Sequence, residues 1–451
     1  MMGLKKESVG LEKESVGLEK ESMGLEKESM GLEKESMGLE KESLGRVAGL
    51  FPLVVAAPLG LDICLPGVPL MSHELGSMPG MTQWIISGFV LCLSLSQLFF
   101  GPLVDRLGAQ CVLLCGSVVY ALSAIGVYFT DTISWFIALR LVQGCGAGAM
   151  AVAASASVPL RFQGAAIGKV FSLLNGVISL VPVLAPVIGG LLIVHYGWRS
   201  SFYALGAFAL LCGVLAWWKP LPAACNRARS DALSPASSLN VFSGYLTVFR
   251  HPEFRLGCFA ASFGFATQLI FFSSSPIVLI ETLHIPVAQF GYYFAVNALA
   301  ITGGSLLTAR LLGRVKETVI LYGGAVLILL AMTGFIMTIH VLTVSVWPYL
   351  LSATLGSLGF AVLIATGAAV ALSPFKSLAG QASALMAAIQ MSFSSLVAWV
   401  VMNSWRDDWS PMIAAYFLLA AALLLQLQVY RMSRIRRHQS EPTDLEKSSP
   451  N

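Results

Sequence analysis

The chain has 451 residues, 56% of them hydrophobic and 12% charged, with a formal net charge of +4. A soluble globular domain carries roughly 25% charged residues, so this composition excludes a soluble enzyme and points to a polytopic helical membrane protein. Residues 1–44 carry seven Lys against eleven Glu, so the positive excess lies beyond them; it has a topological use and does not suggest nucleic acid.

Residues 3–44 are six copies of one heptad, Gly-Leu-Lys/Glu-Lys-Glu-Ser-Val/Met/Leu. Its apolar positions alternate by five and two residues, so they form no coiled-coil stripe. A Gly in each copy costs about 1 kcal/mol against helix. The expected state is a disordered cytoplasmic tail over residues 1–44. The first apolar run, 47–71, is too long for the core of a signal peptide and is expected to remain as an uncleaved anchor.

Apolar runs of the length that crosses a bilayer core as helix recur twelve times: 47–71, 82–103, 111–129, 133–158, 166–194, 201–218, 254–280, 288–312, 318–339, 344–372, 378–403 and 410–430. Residues 219–253, with Pro220, Pro222, Arg227, Arg229, Asp231 and Pro235, form a polar interruption read as a cytoplasmic central loop. The expected fold is all-α: an N-terminal six-helix bundle over 45–218, a C-terminal one over 254–431 and a cytoplasmic tail over 432–451. The turn Gly101–Gly108 between spans two and three has a degenerate echo, Gly304 to Gly313-Arg314, between spans eight and nine. Two six-helix halves with a repeated turn is the layout of a parallel-repeat transporter. With both termini inside, the inner segments beyond the heptads hold eighteen Lys and Arg, and the outer loops only Arg199 and Arg406. That imbalance sets the orientation.

None of the eight cysteines falls in a predicted outer loop, so no disulfide is expected. Cys111 and Cys115 have no His or carboxylate pattern beside them, and no metal site is expected.

Few ionisable groups lie at membrane depth. Asp62 is near the middle of span one and is the only carboxylate there; Arg140 lies in the first half of span four. An intramembrane charge is a functional hypothesis by default. Burial favours the neutral form of a carboxyl and a nearby guanidinium favours the charged form, so Asp62 is read as the proton-coupling acid and Arg140 as the group that tunes it. The charged turn Gly101, Asp105, Arg106, Gly108 must sit in water. Its Asp105 is expected to cap the start of span eleven near Gly380-Gln381, where free N–H groups favour an anion. In span five, Gly176, Pro182, Pro186, Gly189 and Gly190 predict a bent, closely packed helix. Gln97, Gln143, Asn175, Gln268, Phe271, Tyr292, Asn297 and Gln390 combine polar and aromatic groups at depth, and form the candidate pocket for an amphipathic ligand.

These motifs together resemble the major facilitator superfamily, and within it the Bcr/CflA group of drug:proton antiporters. The Gly101–Gly108 turn resembles the superfamily's inner-loop motif, with Ala109 and Gln110 in place of the usual basic pair. Leu139-Arg140-Leu-Val-Gln143-Gly144 resembles the span-four motif. Gly176 through Pro186 to Gly189-Gly190 resembles the antiporter motif, with Ala185 where Gly usually precedes Pro. Asp62-Ile-Cys-Leu-Pro66 resembles the group's span-one motif, and Val54 stands where some multidrug relatives have a second acid. The resemblance covers about 46–435. It implies a monomer in the bacterial inner membrane that expels small amphipathic, chloramphenicol-like drugs in exchange for protons. No cofactor is implied beyond the coupling proton. The second reading is a proton-coupled carrier of one metabolite.

The heptads are expected to be dispensable. Deleting residues 2–36 should leave expression and transport intact, and a loss of transport at equal protein level would contradict this.

Overall fold

The computed structural model describes residues 49–77, 79–162, 165–218, 244–340, 345–375, 379–405 and 409–440. Met1–Phe51 forms one unit, described only over residues 49–51; Pro52–Asn451 forms the other and holds the bundle. The heptads and most of the central interruption therefore lie outside the described residues, as does the Asp105 side chain with its expected cap on span eleven.

Twelve helices among the described residues are long and apolar enough to cross a membrane. Span one is Phe51–Glu74, span two Gly80–Val104, span three Ala109–Phe129, span four Ile133–Val158, span five Leu173–Tyr196 and span six Arg199–Trp218. Span seven is Pro252–Thr282, span eight Val287–Leu311, span nine Glu317–His340, span ten Val346–Leu372, span eleven Gln381–Asn403 and span twelve Ser410–Met432. The expected spans agree to within a few residues at most ends.

Three differences have plain causes. The stretch from Gly101 to Leu107 was expected as turn but is helical, since the helix Trp84–Leu107 runs through Pro102. The turn is Gly108 alone, at φ 85°, a conformation glycine takes without the Cβ penalty. Residues 244–250, expected as loop, are helical. The last helix runs to Ser440, past the expected membrane end, because the basic run Arg431–Arg437 suits a helix C-terminus.

Within the N-terminal half, spans two and four lie almost backbone to backbone. A Cβ at Gly144 would fall on the Phe89 carbonyl, 3.1 Å from Cys92 Cβ and 3.2 Å from Leu93 N. Small residues permit this approach, and dispersion then replaces lipid contact.

The two halves meet through spans two and eleven and through spans five and eight. Toward the end bearing Glu74, Trp84 and Trp399 pack with centroids 5.6 Å apart, and Gln83 Nε2 donates to Ser273 Oγ at 2.6 Å. At Gly190 a Cβ would stand 2.8 Å from the Val287 carbonyl oxygen, and at Gly291 one would stand 2.5 Å from Val187 Cα. At mid-depth Ser94 Oγ and Ser392 Oγ are 2.9 Å apart. Toward the Gly108 end both pairs part. Gly101 follows Ser94 by two turns on the same face, and Gly176 precedes Val187 by three. Among the described residues neither has another atom within 4 Å of its Cβ position. Among these residues the bundle is therefore closed at the Glu74 end and open at the Gly108 end.

Gly144→Ala should force spans two and four apart and cost about 1–3 kcal/mol, whereas Gly101→Ala should cost nothing measurable. Thermal unfolding in detergent, followed by dye labelling of the buried thiols Cys64, Cys212 and Cys258, reads both. Equal melting temperatures for the two variants would contradict the packing described.

Candidate functional site

Span one breaks where Asp62 stands. Its first helix is Phe51–Asp62, followed by a 3-10 turn, Leu65–Gly67, and a second helix, Val68–Glu74. Proline has no N–H, so Pro66 cannot bond the Asp62 carbonyl, and Pro69 cannot bond that of Leu65. The Gly67 N–H instead reaches the Cys64 carbonyl at 3.0 Å. Irregular backbone at membrane depth is tolerated only where protein covers it. Span five supplies the cover: a Cβ at Gly189 would fall on the Ile63 carbonyl and 3.3 Å from Ile63 Cα. The antiporter-motif glycine thus packs on the residue next to Asp62.

Asp62 is 1% exposed, and its Oδ1 has no hydrogen-bond partner. Arg140 is fully buried, yet among the described residues no ion pair joins the two. The guanidinium is committed elsewhere. Nε donates to the Ile85 carbonyl at 2.9 Å, Nη1 to Gln143 Oε1 at 2.7 Å and Nη2 to the Gly60 carbonyl at 3.1 Å. Phe89 and Phe202 lie 4.3 and 5.5 Å from its central carbon, close enough for cation–π attraction. Nη2 also approaches Cys64 Sγ at 3.8 Å. Arg140 therefore ties spans one, two and four together around the break, and the Gly60 carbonyl it holds lies two residues before Asp62.

The candidate pocket residues do not form one cluster. Gln143 belongs to the Arg140 network. Gln97 is half-buried on the Ser94 side of span two, Asn175 is exposed beside Gly176, and Gln390 is buried in span eleven. Phe271 is core, stacked on Phe294 and Tyr349. Tyr292 is 63% exposed, away from the others. Gln268 accepts a hydrogen bond from Ser357 Oγ at 2.7 Å, and Asn297 is fully buried. In the gating motif Arg106 is exposed, while Gly101 is half-buried at the open end. In the antiporter motif Pro182 and Pro186 lie inside one continuous helix, Ala165–Tyr196. That the Gly60 and Ile85 carbonyls receive Arg140 was not visible beforehand, because carbonyls leave no mark on side-chain pattern. The Pro66 and Pro69 spacing could have located the break.

Twelve spans in two six-helix halves, closed at one end and broken at a buried carboxyl, define a membrane transporter. Residues 50–398 match the Major Facilitator Superfamily, and the chain belongs to that family. It is 30% identical to the multidrug resistance protein MdtL of Shewanella oneidensis, over 78% of this chain and 87% of that one. It is 28% identical to a chloramphenicol resistance protein of Pseudomonas aeruginosa, over 87% and 92%. It is 27% identical to a bicyclomycin resistance protein homolog of Haemophilus influenzae, over 84% and 93%. Among solved structures, a D-xylose-proton symporter superposes with TM-score 0.66 at 15% identity, covering 84% of this chain and 96% of that one. A peptide transporter in complex with sulfate superposes with TM-score 0.68 at 14% identity, covering 86% and 94%. These last two share the fold.

Arg140→Met keeps the length of the side chain and removes three hydrogen bonds given by a charged donor. The expected cost is about 3–5 kcal/mol, seen as a large drop in melting temperature in detergent. Arg140→Lys should recover little of it, because one ammonium cannot span the fork. A lysine variant as stable as the parent would contradict the bridging role.

Proposed function

We propose that the chain expels small amphipathic drugs across the bacterial inner membrane in exchange for protons, with Asp62 as the proton carrier. The observation that carries the reading is a buried carboxyl with an unpartnered oxygen at the break of span one. An isolated buried carboxylate is costly, so the protonation of such a group follows whatever arrives beside it. A ligand that offers hydrogen bonds or positive charge favours the ionised form; an empty dry site favours the protonated one. Ligand and proton then compete for one site, which is the coupling that exchange requires.

Arg140 positions the backbone on which Asp62 rides, and the gating glycines lie where the halves part. The Lys and Arg imbalance supports an orientation with the Gly108 end and both termini on the cytoplasmic side. Chloramphenicol and bicyclomycin, after which two of the relatives are named, are neutral compounds built on carboxamides. Substrates of that kind fit a site that, among the described residues, holds the acid Asp62 and an Arg140 already committed to carbonyls and Gln143. The chain works as a monomer without a cofactor, since each half supplies one wall of the path.

Asp62→Asn should abolish drug-driven proton movement while the protein still folds and still binds a neutral drug. Chloramphenicol-induced proton release from purified protein, followed by a pH dye in weak buffer, measures it. Release from the Asn variant equal to that of the parent would place the carrier elsewhere.

A further inference from the structure

Spans seven and eight run antiparallel, and Phe271 stacks on Phe294 across them with centroids 5.7 Å apart. One turn from Phe271 toward the Gly108 end stands Gln268, and one turn from Phe294 in the same direction stands Asn297. Two carboxamides therefore lie at about the same depth in the C-terminal half. Both are buried, Gln268 at 4% exposure and Asn297 at 0%. Asn297 faces span ten: Gly304, two turns further on its helix, has its Cβ position 2.9 Å from Ala361 Cβ and 3.3 Å from Leu358 Cδ2.

Ser357 of span ten donates to Gln268 Oε1 at 2.7 Å. That bond fixes which way the amide points and leaves Nε2 without a partner. Asn297 has neither Nδ2 nor Oδ1 partnered. Native proteins keep few unpaired buried polar groups, and each calls for a reason. One turn below the amides, Phe265 and Phe360 meet edge to face with centroids 5.9 Å apart. Phe360 is buried and Phe265 is half-buried, so Phe265 is the ring of the pair that keeps exposed surface. The two amides thus stand between two aromatic pairs.

We propose that Gln268 and Asn297 form a carboxamide-recognition subsite. Gln268 Nε2 and Asn297 Nδ2 donate to a carbonyl oxygen, and Asn297 Oδ1 accepts from an N–H. Phe265 and Phe360 take the adjoining apolar or aromatic body. The site offers two donors and one acceptor with no charge among them, so it selects neutral secondary amides. Ser357 is a positioning residue, since it sets the Gln268 amide without touching the ligand. This rests on the efflux reading above and names the substrates that the efflux carries.

The test is a chloramphenicol titration of the full chain, purified in detergent, with proton release as the readout. Gln268→Leu and Asn297→Leu should each raise the half-saturating drug concentration about tenfold, the effect of one lost hydrogen bond in a buried site. The release at saturating drug should equal that of the parent. Ser357→Ala, a small change that leaves the amide in place but unfixed, should raise the midpoint several-fold. Unchanged midpoints in the two leucine variants, or a lower amplitude at an unchanged midpoint, would overturn the subsite. A parent chain that releases no protons would instead count against the efflux reading, so the two failures are distinguishable.

Discussion

A guanidinium buried with no carboxylate partner among the described residues is the constraint on which the site depends. Removing Arg140 from water is costly, and that cost must be met inside the fold. It is met by two backbone carbonyls, one amide oxygen and two ring faces, drawn from spans one, two, four and six. The Gly60 carbonyl lies two residues before Asp62, so the bond that satisfies Arg140 also fixes the end of the broken helix. Because Arg140 is spent on carbonyls and on Gln143, no counter-ion pairs with Asp62 among the described residues. A buried Asp–Arg ion pair would hold the carboxyl ionised. The arrangement found leaves its protonation open to what enters the site.

The contacts inside a half and between the halves differ in kind. Inside the N-terminal half, Gly144 brings two helix backbones into contact. Such packing has one tight solution and does not slide. Between the halves, the Gln83–Ser273 hydrogen bond, a tryptophan pair and the close crossing of spans five and eight form the seal at the Glu74 end, and the Ser94–Ser392 bond adds a link at mid-depth. A net hydrogen bond is worth only about 0.5–1.5 kcal/mol, so these links can break and reform as rigid halves rock. At the other end neither Gly101 nor Gly176 has a described neighbour within 4 Å of its Cβ position, and in the exchange proposed above the same helices close there in turn.

Much of the fold was legible in the sequence. Twelve apolar runs and one polar interruption gave the spans and the six-plus-six division, because bilayer thickness sets helix length. The boundaries missed are those where helices continue outside the membrane, at Leu107, at 244–250 and at Ser440, since hydropathy ends where lipid ends. Asp62, Arg140 and Gly189 were singled out and do converge on one place. Their geometry was not legible: the Arg140 bonds among the described residues go to the Ile85 and Gly60 carbonyls and to Gln143, and a side-chain pattern does not show which carbonyls a guanidinium meets. The pocket residues were chosen by type and depth alone. Depth says nothing of helix face, which is why Tyr292 points away while Phe265, Phe360 and Ser357 were passed over.

The central claim is that Asp62 gives up its proton when substrate arrives. Infrared difference spectroscopy on purified protein reads this directly, through the carbonyl stretch of a protonated carboxyl in an apolar site. The account predicts such a band in the ligand-free chain, its loss on adding chloramphenicol, and the absence of that change in Asp62→Asn. A band that persists through drug binding, or an identical change in the Asn variant, would contradict it.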